Sequence, residues 1–198
     1  MSDLLLICCS KKPPLDQPHV KSATRELLRL TASGLEDAGV PFGWLDMRDL
    51  NLPWFEGQPL QSYPDEALHN AAQQVTRARA VVLSMPAYWG GLAGVSKNLL
   101  DLLGGAAYDQ ADRRTPFSRT FVAPVIVGGA TGDSAAGLLQ FRHTLGEMGA
   151  MCLPMQVSVD NPREATTMET TVQQAYQLGV RVARTAGLLK PVSAGTVT

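Results

Sequence analysis

Cysteine is scarce in this chain, and its scarcity disfavours one class of protein. There are 3 cysteines among 198 residues, at Cys8, Cys9 and Cys152. This odd, low number argues against a disulfide framework and for a reducing compartment. Cys8 and Cys9 are neighbours in an apolar run, so their side chains point to opposite faces of a strand. We interpret them as small buried apolar residues rather than as a redox pair.

An excess of charge of either sign is also missing. The formal net charge is −1 and only 18% of the residues are charged. A nucleic-acid-binding protein needs a clustered basic surface, so a nucleic-acid partner is not expected. A protein that docks electron-transfer partners usually presents a strongly acidic face, and a pI near 6.3 does not suggest one.

Long apolar segments and common nucleotide-binding motifs are absent too. No apolar run approaches the roughly 20 residues that a membrane-spanning helix needs. The N-terminal MSDLLLICC is too short, and lacks the basic flank, for a signal peptide. We therefore expect a cytoplasmic protein with no membrane partner. Neither a Walker A nor a GxGxxG motif occurs, and His19, His69 and His143 show no spacing typical of metal ligands.

What the chain does contain is a regular alternation of short apolar runs and segments with helical periodicity. The apolar runs predict five strands, at Leu4–Cys8, Phe42–Leu45, Ala80–Met85, Phe121–Val127 and Met151–Val157. The periodic segments predict helices near 22–38, 65–78, 94–103, 134–148 and 168–189. This alternation predicts one α/β domain over residues 1–190, built on a five-stranded parallel sheet with helices on both faces, and a flexible tail at 191–198.

Ligands of such sheets bind beyond the carboxyl ends of the strands, and the loop after the first strand offers an anion site. Ser10 and Lys12 follow the strand, and Ser22 and Thr24 lie where the next helix begins. Hydroxyls and N–H groups at a helix N-terminus bind anions well, and His19 in the same loop is a further candidate. The alternative is that Ser22 only caps the helix.

The loop after the third strand, MPAYWGGLAG, places two aromatic residues side by side. A planar ring could rest on Tyr88 or Trp89, and the glycines that follow let backbone approach a ligand closely. The alternative is that both aromatic side chains belong to the core or to a subunit contact.

The loop after the fourth strand carries Gly128 and Gly129. Its alternative interpretation is a tight turn with an N-cap at Asp133 or Ser134. Taken together, an anion site, an aromatic platform and a glycine wall suit a phosphorylated, flat, heteroaromatic ligand, and FMN meets that description.

Three sequence motifs carry a resemblance to a known family. They are PAYWG at 86–90 with Gly94 and KNLLD at 97–101, LDMRDLNLP at 45–53, and the Gly128–Gly129 pair. With these motifs the sequence resembles the NADPH-dependent FMN reductases, the flavodoxin-like family that includes flavin, quinone and chromate reductases. The resemblance covers most of residues 3–160 and implies a flavodoxin-like, doubly wound sheet with strand order 2-1-3-4-5.

The resemblance also implies where FMN binds. Phosphate contacts fall on Ser10, Lys12, Ser22 and Thr24, and isoalloxazine contacts fall on Pro86, Ala87, Tyr88, Trp89, Gly90, Gly128 and Gly129. Backbone N–H groups there are expected to bond the ring's carbonyl oxygens and N5, and the glycines are expected to leave one ring face open for a nicotinamide.

The implied function is an FMN-dependent oxidoreductase. NADPH or NADH would reduce bound FMN, which would reduce a quinone, a free flavin, an azo compound or a metal oxyanion. Relatives pair through the helix after the aromatic loop, which implies a homodimer or homotetramer. The alternatives are a single-electron carrier of the flavodoxin type without NAD(P)H turnover, and a fold that has lost its cofactor and serves as an interaction module. No catalytic acid or base and no metal ligand is assigned.

Overall fold

A computed structural model gives the fold of the protein and describes residues 2–12, 21–108 and 113–189. The candidate ligand His19 and the tail at 191–198 lie outside the described residues. Within the described ranges, no helix is long and apolar enough to cross a lipid bilayer.

A single sheet forms the centre of the fold. Its strands are β1 (Leu4–Cys8), β2 (Gly43–Asp46), β3 (Ala80–Tyr88), β4 (Gly91–Leu92), β5 (Phe121–Gly128), β6 (Met151–Cys152) and β7 (Val157–Val159). The order is β2-β1-β3-β5-β6, with β7 also paired to β5, and only β4 is antiparallel to its neighbour. Because β6 and β7 together occupy the fifth position, the predicted order 2-1-3-4-5 is confirmed.

Helices cover both faces of this sheet, as predicted. They are α1 (Ala23–Asp37), α2 (Glu66–Arg77), α3 (Gly94–Gly104), α4 (Asp133–Glu147), α5 (Pro162–Ala165) and α6 (Glu169–Thr185). Alternate residues of β1 divide between two cores. Leu4 and Leu6 pack with α1 and α6, whereas Leu5 and Ile7 pack with α2, α3 and α4. Burial on both faces explains why β1 is apolar without interruption.

The predicted fifth strand, Met151–Val157, is broken into two. β6 ends at Cys152, although the N–H of Leu153 still donates to the carbonyl of Val122 at 2.8 Å. Pro154 follows and has no N–H to continue a ladder. Pairing with β5 resumes only at Val157. The interruption of one predicted strand, together with the short β4, raises the number of strands in the described part of the chain from five to seven.

The strand β3 continues to Tyr88, beyond its predicted end at Met85. The predicted end of this strand, just before Pro86, is therefore wrong. The last bond from the β1 side runs from the N–H of Cys9 to the carbonyl of Ser84 at 2.8 Å. Pro86 is the next residue that faces this side, where β1 has already ended. Its missing N–H therefore costs no bond in the ladder with β1, and its carbonyl accepts instead from the N–H of Ala93, just after β4, at 2.9 Å. β3 thus projects past β1 at the carboxyl edge of the sheet.

Candidate functional site

Two buried serines meet where β1 ends and α1 begins. Ser22 is the N-cap of α1, and its Oγ accepts a hydrogen bond from the N–H of Arg25 at 3.3 Å. The same hydroxyl donates to the Oγ of Ser10 at 2.7 Å. The capping interpretation of Ser22 is thus confirmed. The structure also brings together two of the residues predicted to bind an anion.

Thr24 and Lys12, the other two predicted phosphate residues, lie beside this pair. Thr24 is buried in the first turn of α1, and its carbonyl accepts from the hydroxyl of Ser84 at 2.7 Å. The N–H of Lys12 donates to the Oγ of Ser10 at 3.4 Å, and its Nζ donates to the carbonyl of Lys21 at 3.4 Å. Hydroxyls, an ammonium group and a helix N-terminus therefore share one end of the sheet.

A buried ion pair, which the sequence analysis missed, is hydrogen-bonded to the backbone of Ser10. The guanidinium of Arg25 donates through Nε to Asp46 Oδ2 at 2.8 Å, and through Nη2 to Asp46 Oδ1 at 3.0 Å and to the Ser10 carbonyl at 2.7 Å. Burial alone would raise the pKa of the Asp46 carboxyl, but the bonds from Arg25 and from the N–H of Arg48 outweigh it and hold that pKa below its ordinary value. The pair fixes the backbone of Ser10.

The predicted aromatic loop is a two-residue β-hairpin turn. Tyr88 pairs with Gly91 across β3 and β4, which leaves Trp89 and Gly90 as the turn. Their φ angles are +55° and +78°, and two positive φ angles are the pattern of the type I′ turns that match the twist of paired strands. Glycine adopts this conformation freely, whereas a tryptophan pays about 1–2 kcal/mol for it.

Neither aromatic side chain of this hairpin belongs to the core. Trp89 is 99% exposed and Tyr88 is 42% exposed, so the core alternative is wrong for both. The ring of Tyr88 lies against Gly129, where an added Cβ would come within 2.7 Å of Tyr88 Cδ1. Pro86 and Ala87, two further predicted ring contacts, are buried within β3 rather than displayed on a loop.

The loop after β5 is held by a distant carboxylate. Asp160 accepts from the N–H of Gly132 at 2.7 Å and from that of Ser134 at 2.9 Å. Gly132, with a φ of +91°, occupies the N-cap position of α4 without a side-chain cap bond. The alternative of an N-cap at Asp133 or Ser134 is therefore wrong. Asp160 also lies where a side chain on Gly128 would sit, so this position requires glycine.

A second carboxylate joins this loop to the aromatic hairpin. Asp133 accepts from the N–H of Gly90 at 2.8 Å and from that of Ala130 at 3.0 Å. The N–H of Gly129 donates to the carbonyl of Ala87 at 2.9 Å. The N–H groups of Gly90 and Gly129, which were expected to bond a ring, thus already have partners within the chain. Gly90 therefore presents open space to a ligand, whereas Gly129 is the surface against which the ring of Tyr88 lies.

These observations test whether the carboxyl edge fits a phosphorylated planar ligand such as FMN. A phosphate is well received by hydroxyls at a helix N-terminus, and Ser10 and Ser22 provide them. A ring needs an aromatic neighbour and free space. Tyr88 supplies the first, and a Cβ built at Gly90 or Gly94 meets no atom within 4 Å. The residues fit the group. Among the described residues, no cluster of His, Cys, Asp or Glu could hold a metal ion.

Comparison with protein families finds a family that matches most of this chain. The family model described as NADPH-dependent FMN reductase matches residues 3–164, which include β1, the aromatic hairpin and the loop after β5. Among curated proteins, none matches this chain significantly.

Solved structures show the same fold at low sequence identity. RosB with a bound 8-demethyl-8-formylriboflavin-5′-phosphate intermediate is 14% identical, with a TM-score of 0.71 over 94% of this chain and 79% of its own. An NAD(P)H:quinone oxidoreductase from Methanothermobacter marburgensis is 18% identical, with a TM-score of 0.66 over 90% of this chain and 98% of its own. An NADH:FMN oxidoreductase in its apo form is 14% identical, with a TM-score of 0.63 over 92% and 88%.

Proposed function

Because the chain belongs to the NADPH-dependent FMN reductase family and is therefore an oxidoreductase, we propose that it binds FMN at the carboxyl edge of its sheet. The FMN carries a hydride from NADPH or NADH to a small acceptor. The observation that carries the proposal is the convergence of the buried Ser10–Ser22 pair with the exposed Tyr88–Trp89 hairpin at one edge.

The phosphate group is received at the start of α1. Ser10, Ser22 and Thr24 line the first turn, and Lys12 adds a positive charge beside them. A dianion is stabilised there by the partial positive charge of a helix N-terminus. The charge of the nearby Arg25 is already paired with Asp46, so this arginine orients Ser10 and leaves the phosphate to the hydroxyls and Lys12.

The ring is received by the projecting end of β3 and the loop after β5. The residues proposed to contact it are Pro86, Ala87, Tyr88, Trp89, Gly90, Gly128 and Gly129. Bound FMN supplies the hydride chemistry, and the chain supplies position and access. Small residues on one side leave room for a nicotinamide to reach a reactive distance of about 3–3.5 Å. No side chain is assigned as a general acid or base.

We propose a small organic or inorganic acceptor from the group of quinones, free flavins, azo compounds and metal oxyanions, and a cytoplasmic homodimer or homotetramer as the working form. Support for an oligomer comes from large apolar side chains on the surface, among them Leu139, Met151 and Met168.

Two measurements test the function. Purified protein, reconstituted with FMN where necessary, should show flavin absorbance and should oxidise NADPH or NADH when a quinone is supplied. A protein that binds FMN tightly, is reduced by dithionite and is untouched by either nicotinamide would be a single-electron carrier. A protein that binds no flavin would be an interaction module.

A further inference from the structure

An open cavity, the amino-edge cleft, lies toward the edge of the sheet opposite to the residues assigned to FMN. It lies between one face of α2 and residues 114–119, the loop that precedes β5, and its volume is about 530 Å³. α2 ends at Arg77, just before β3 begins, and the loop ends just before the first residue of β5. Because β3 and β5 are parallel, their first residues mark the amino edge, whereas FMN is assigned to the carboxyl edge. The proposed function gives this cleft no role.

Positive charge is concentrated in the amino-edge cleft. Arg77 on α2 and Arg114 and Arg119 on the loop line it, and no aspartate or glutamate does so in the part of the chain that the structure describes. The whole chain carries a formal net charge of −1, so three arginines around one cavity are a local feature and not a consequence of a basic composition. A cleft lined by charge of one sign attracts ligands of the opposite sign.

The loop that carries two of these arginines is held by bonds to the end of α4 and the turn after it. Thr115 donates from Oγ1 to the carbonyl of Met148 at 2.7 Å, and the N–H of Arg119 donates to the carbonyl of Gly149 at 2.9 Å. Between them, the side chain of Phe117 is completely buried. A loop fixed in this way loses little entropy when a ligand binds to it, which is how a preorganised site gains affinity.

Arg119 combines a strained backbone with an unused side chain. Its φ angle is +69°, in the left-handed region that residues other than glycine, asparagine and aspartate rarely adopt. Its side chain is exposed, and its guanidinium has no hydrogen bond or ion pair with another described residue. Strained backbone of this kind occurs preferentially at functional sites. The guanidinium of Arg119 is therefore available to a ligand.

The other two arginines of the cleft also have structural roles. Arg77 and Arg114 each have an interaction within the chain, and Arg77 lies in the last turn of α2, where a cation complements the helix dipole. A guanidinium has five N–H donors, so each of the two can still contribute bonds and charge. Arg119 is the residue whose replacement tests the cleft with the least effect on the fold.

The chemistry of the walls favours a phosphorylated ligand. The planar fork of a guanidinium matches two oxygens of a phosphate group. Three positive charges favour a ligand with two or more negative charges over a monocarboxylate. The volume falls within the range of about 300–1,000 Å³ for small-molecule sites. Apolar surface beside the arginines comes from Leu60, Ala72, Ala106 and Pro116.

We propose that the amino-edge cleft binds a phosphate-bearing small molecule through Arg119, with Arg77 and Arg114 contributing positive charge. This second anion site is separate from the phosphate site proposed at the start of α1, and it does not depend on the reductase function. Binding stabilises the folded chain as the ligand concentration rises above Kd.

The test is a calorimetric titration of pyrophosphate into the FMN-loaded protein, at constant ionic strength and without divalent cations. Bound FMN occupies the site at the start of α1, which leaves the cleft to pyrophosphate. Arg119→Gln should weaken binding at least about tenfold, as expected for the loss of charge-assisted hydrogen bonds. Arg181→Gln is the matched control, because it removes the same charge from an exposed position of α6, on the opposite face of the sheet. Its affinity should not change.

Two results of this titration would overturn the proposal. One is a wild-type protein that does not bind pyrophosphate. The other is equal affinity in wild type and Arg119→Gln, which would identify an adventitious ion only. A second probe, adenosine 5′-diphosphate, distinguishes the sources of the phosphate. Arg119-dependent binding that is tighter than that of pyrophosphate supports an organic phosphate, and weaker binding supports an inorganic polyphosphate.

Arg119→Gly separates binding from folding. Glycine adopts a positive φ freely, so the Tm of this variant without ligand should not fall below that of Arg119→Gln, whereas its affinity for pyrophosphate should be equally low. Pyrophosphate should raise the Tm of wild type above its value in sodium chloride of equal ionic strength, and both variants should lose this shift. A folded Arg119→Gly protein with wild-type affinity would refute the cleft.

FMN binding distinguishes this inference from the proposed function. Both Arg119 variants should keep the FMN affinity of wild type. A variant that loses FMN and pyrophosphate together would place the ion at the FMN site and overturn the inference. A wild-type protein that binds no FMN, yet binds pyrophosphate in a way that depends on Arg119, would refute the proposed function and support the cleft.

Discussion

Ser22 donates a hydrogen bond to Ser10 across 2.7 Å, and both side chains are buried at the carboxyl edge of the sheet. The two serines are 12 positions apart in the chain, so the bond closes the loop that joins β1 to α1. It sets two hydroxyls beside the first turn of α1, and the proposed phosphate site depends on this arrangement.

Ser22→Asp should weaken FMN binding at least about 100-fold. Aspartate caps helices as well as serine does, but it places a carboxylate beside the phosphate, and like charges near 4 Å cost about 4 kcal/mol at an effective dielectric constant of 20. Ser22→Asn is the matched control, because it caps equally well without charge. The measurement is fluorescence titration of FMN. Equal FMN affinity in the two variants would show that the phosphate binds elsewhere.

Removing one partner of the ion pair of Arg25 with Asp46 should strongly destabilise the fold. Both side chains are almost completely buried, and removing one partner of such a pair usually costs about 3–5 kcal/mol. Arg25→Met should lower the free energy of unfolding in urea by about that amount, and adding Asp46→Leu should recover much of it. A loss below about 1 kcal/mol in Arg25→Met would contradict this account.

The same pair gives a direction to the pH dependence of stability. The pKa of Asp46 is lowered in the folded protein, so its contribution is complete above its unfolded pKa of about 3.9. That contribution is lost as the pH falls through the lower, folded value. In acid, the free energy of unfolding measured with urea should fall more steeply with decreasing pH for wild type than for Asp46→Asn. Parallel curves would mean that Asp46 is not linked to folding.

Gly90→Val should block reduction by NADPH. Gly90 has a φ of +78° and open space around it, and Gly39, at the end of α1, has a φ of +64° and equally open space. Valine at either position is strained by about 1–2 kcal/mol, which makes Gly39→Val the control for strain. The rate at which NADPH reduces bound FMN, measured by stopped flow, should fall about 100-fold in Gly90→Val, because the nicotinamide is displaced from its reactive position. The rate should not change in Gly39→Val. Equal rates in the two variants would exclude Gly90 from the nicotinamide site.

The three cysteines should be dispensable for turnover. Burial raises the pKa of Cys8 to about 11 and also raises the pKa values of Cys9 and Cys152. All three therefore stay protonated near neutrality, and a thiol is a poor nucleophile. Replacing them together by alanine should lower stability but preserve NADPH-dependent turnover. A variant that retains FMN yet loses activity would show that a thiol takes part.

Much of the fold could be predicted because apolar runs and helical periodicity are local patterns. The alternation of strands and helices predicted a parallel sheet, and the order of its strands followed from the resemblance to the family. The burial of β1 on both faces agrees with its unbroken apolar run. The end of β3 could not be predicted in this way. A proline interrupts a strand only where the neighbouring strand needs an N–H donor at that position. At Pro86 this depends on the length of β1, which pairs with β3 only as far as Ser84. The same limit applies to the break at Pro154.

The candidate site was predicted in its parts but not in its connections. Ser10 and Ser22 were identified, whereas the support from Arg25 was missed because its partner Asp46 lies 21 positions away. Asp160 was missed for the same reason, since it is 28 positions from Gly132. Asn98 was recognised as part of a motif, but its hydrogen bonds to the backbone of Pro53 and Phe55 exist only in the folded chain.

An anaerobic titration of the FMN-loaded protein with NADPH tests the central claim most directly. A reductase leaves one face of the ring open to the nicotinamide, so the flavin absorbance should bleach in a single two-electron step with little semiquinone. A quinone added afterwards should restore the yellow form and give ping-pong turnover. Flavin that stays oxidised with both NADPH and NADH, but gives a long-lived semiquinone with dithionite, would contradict the account and identify an electron carrier.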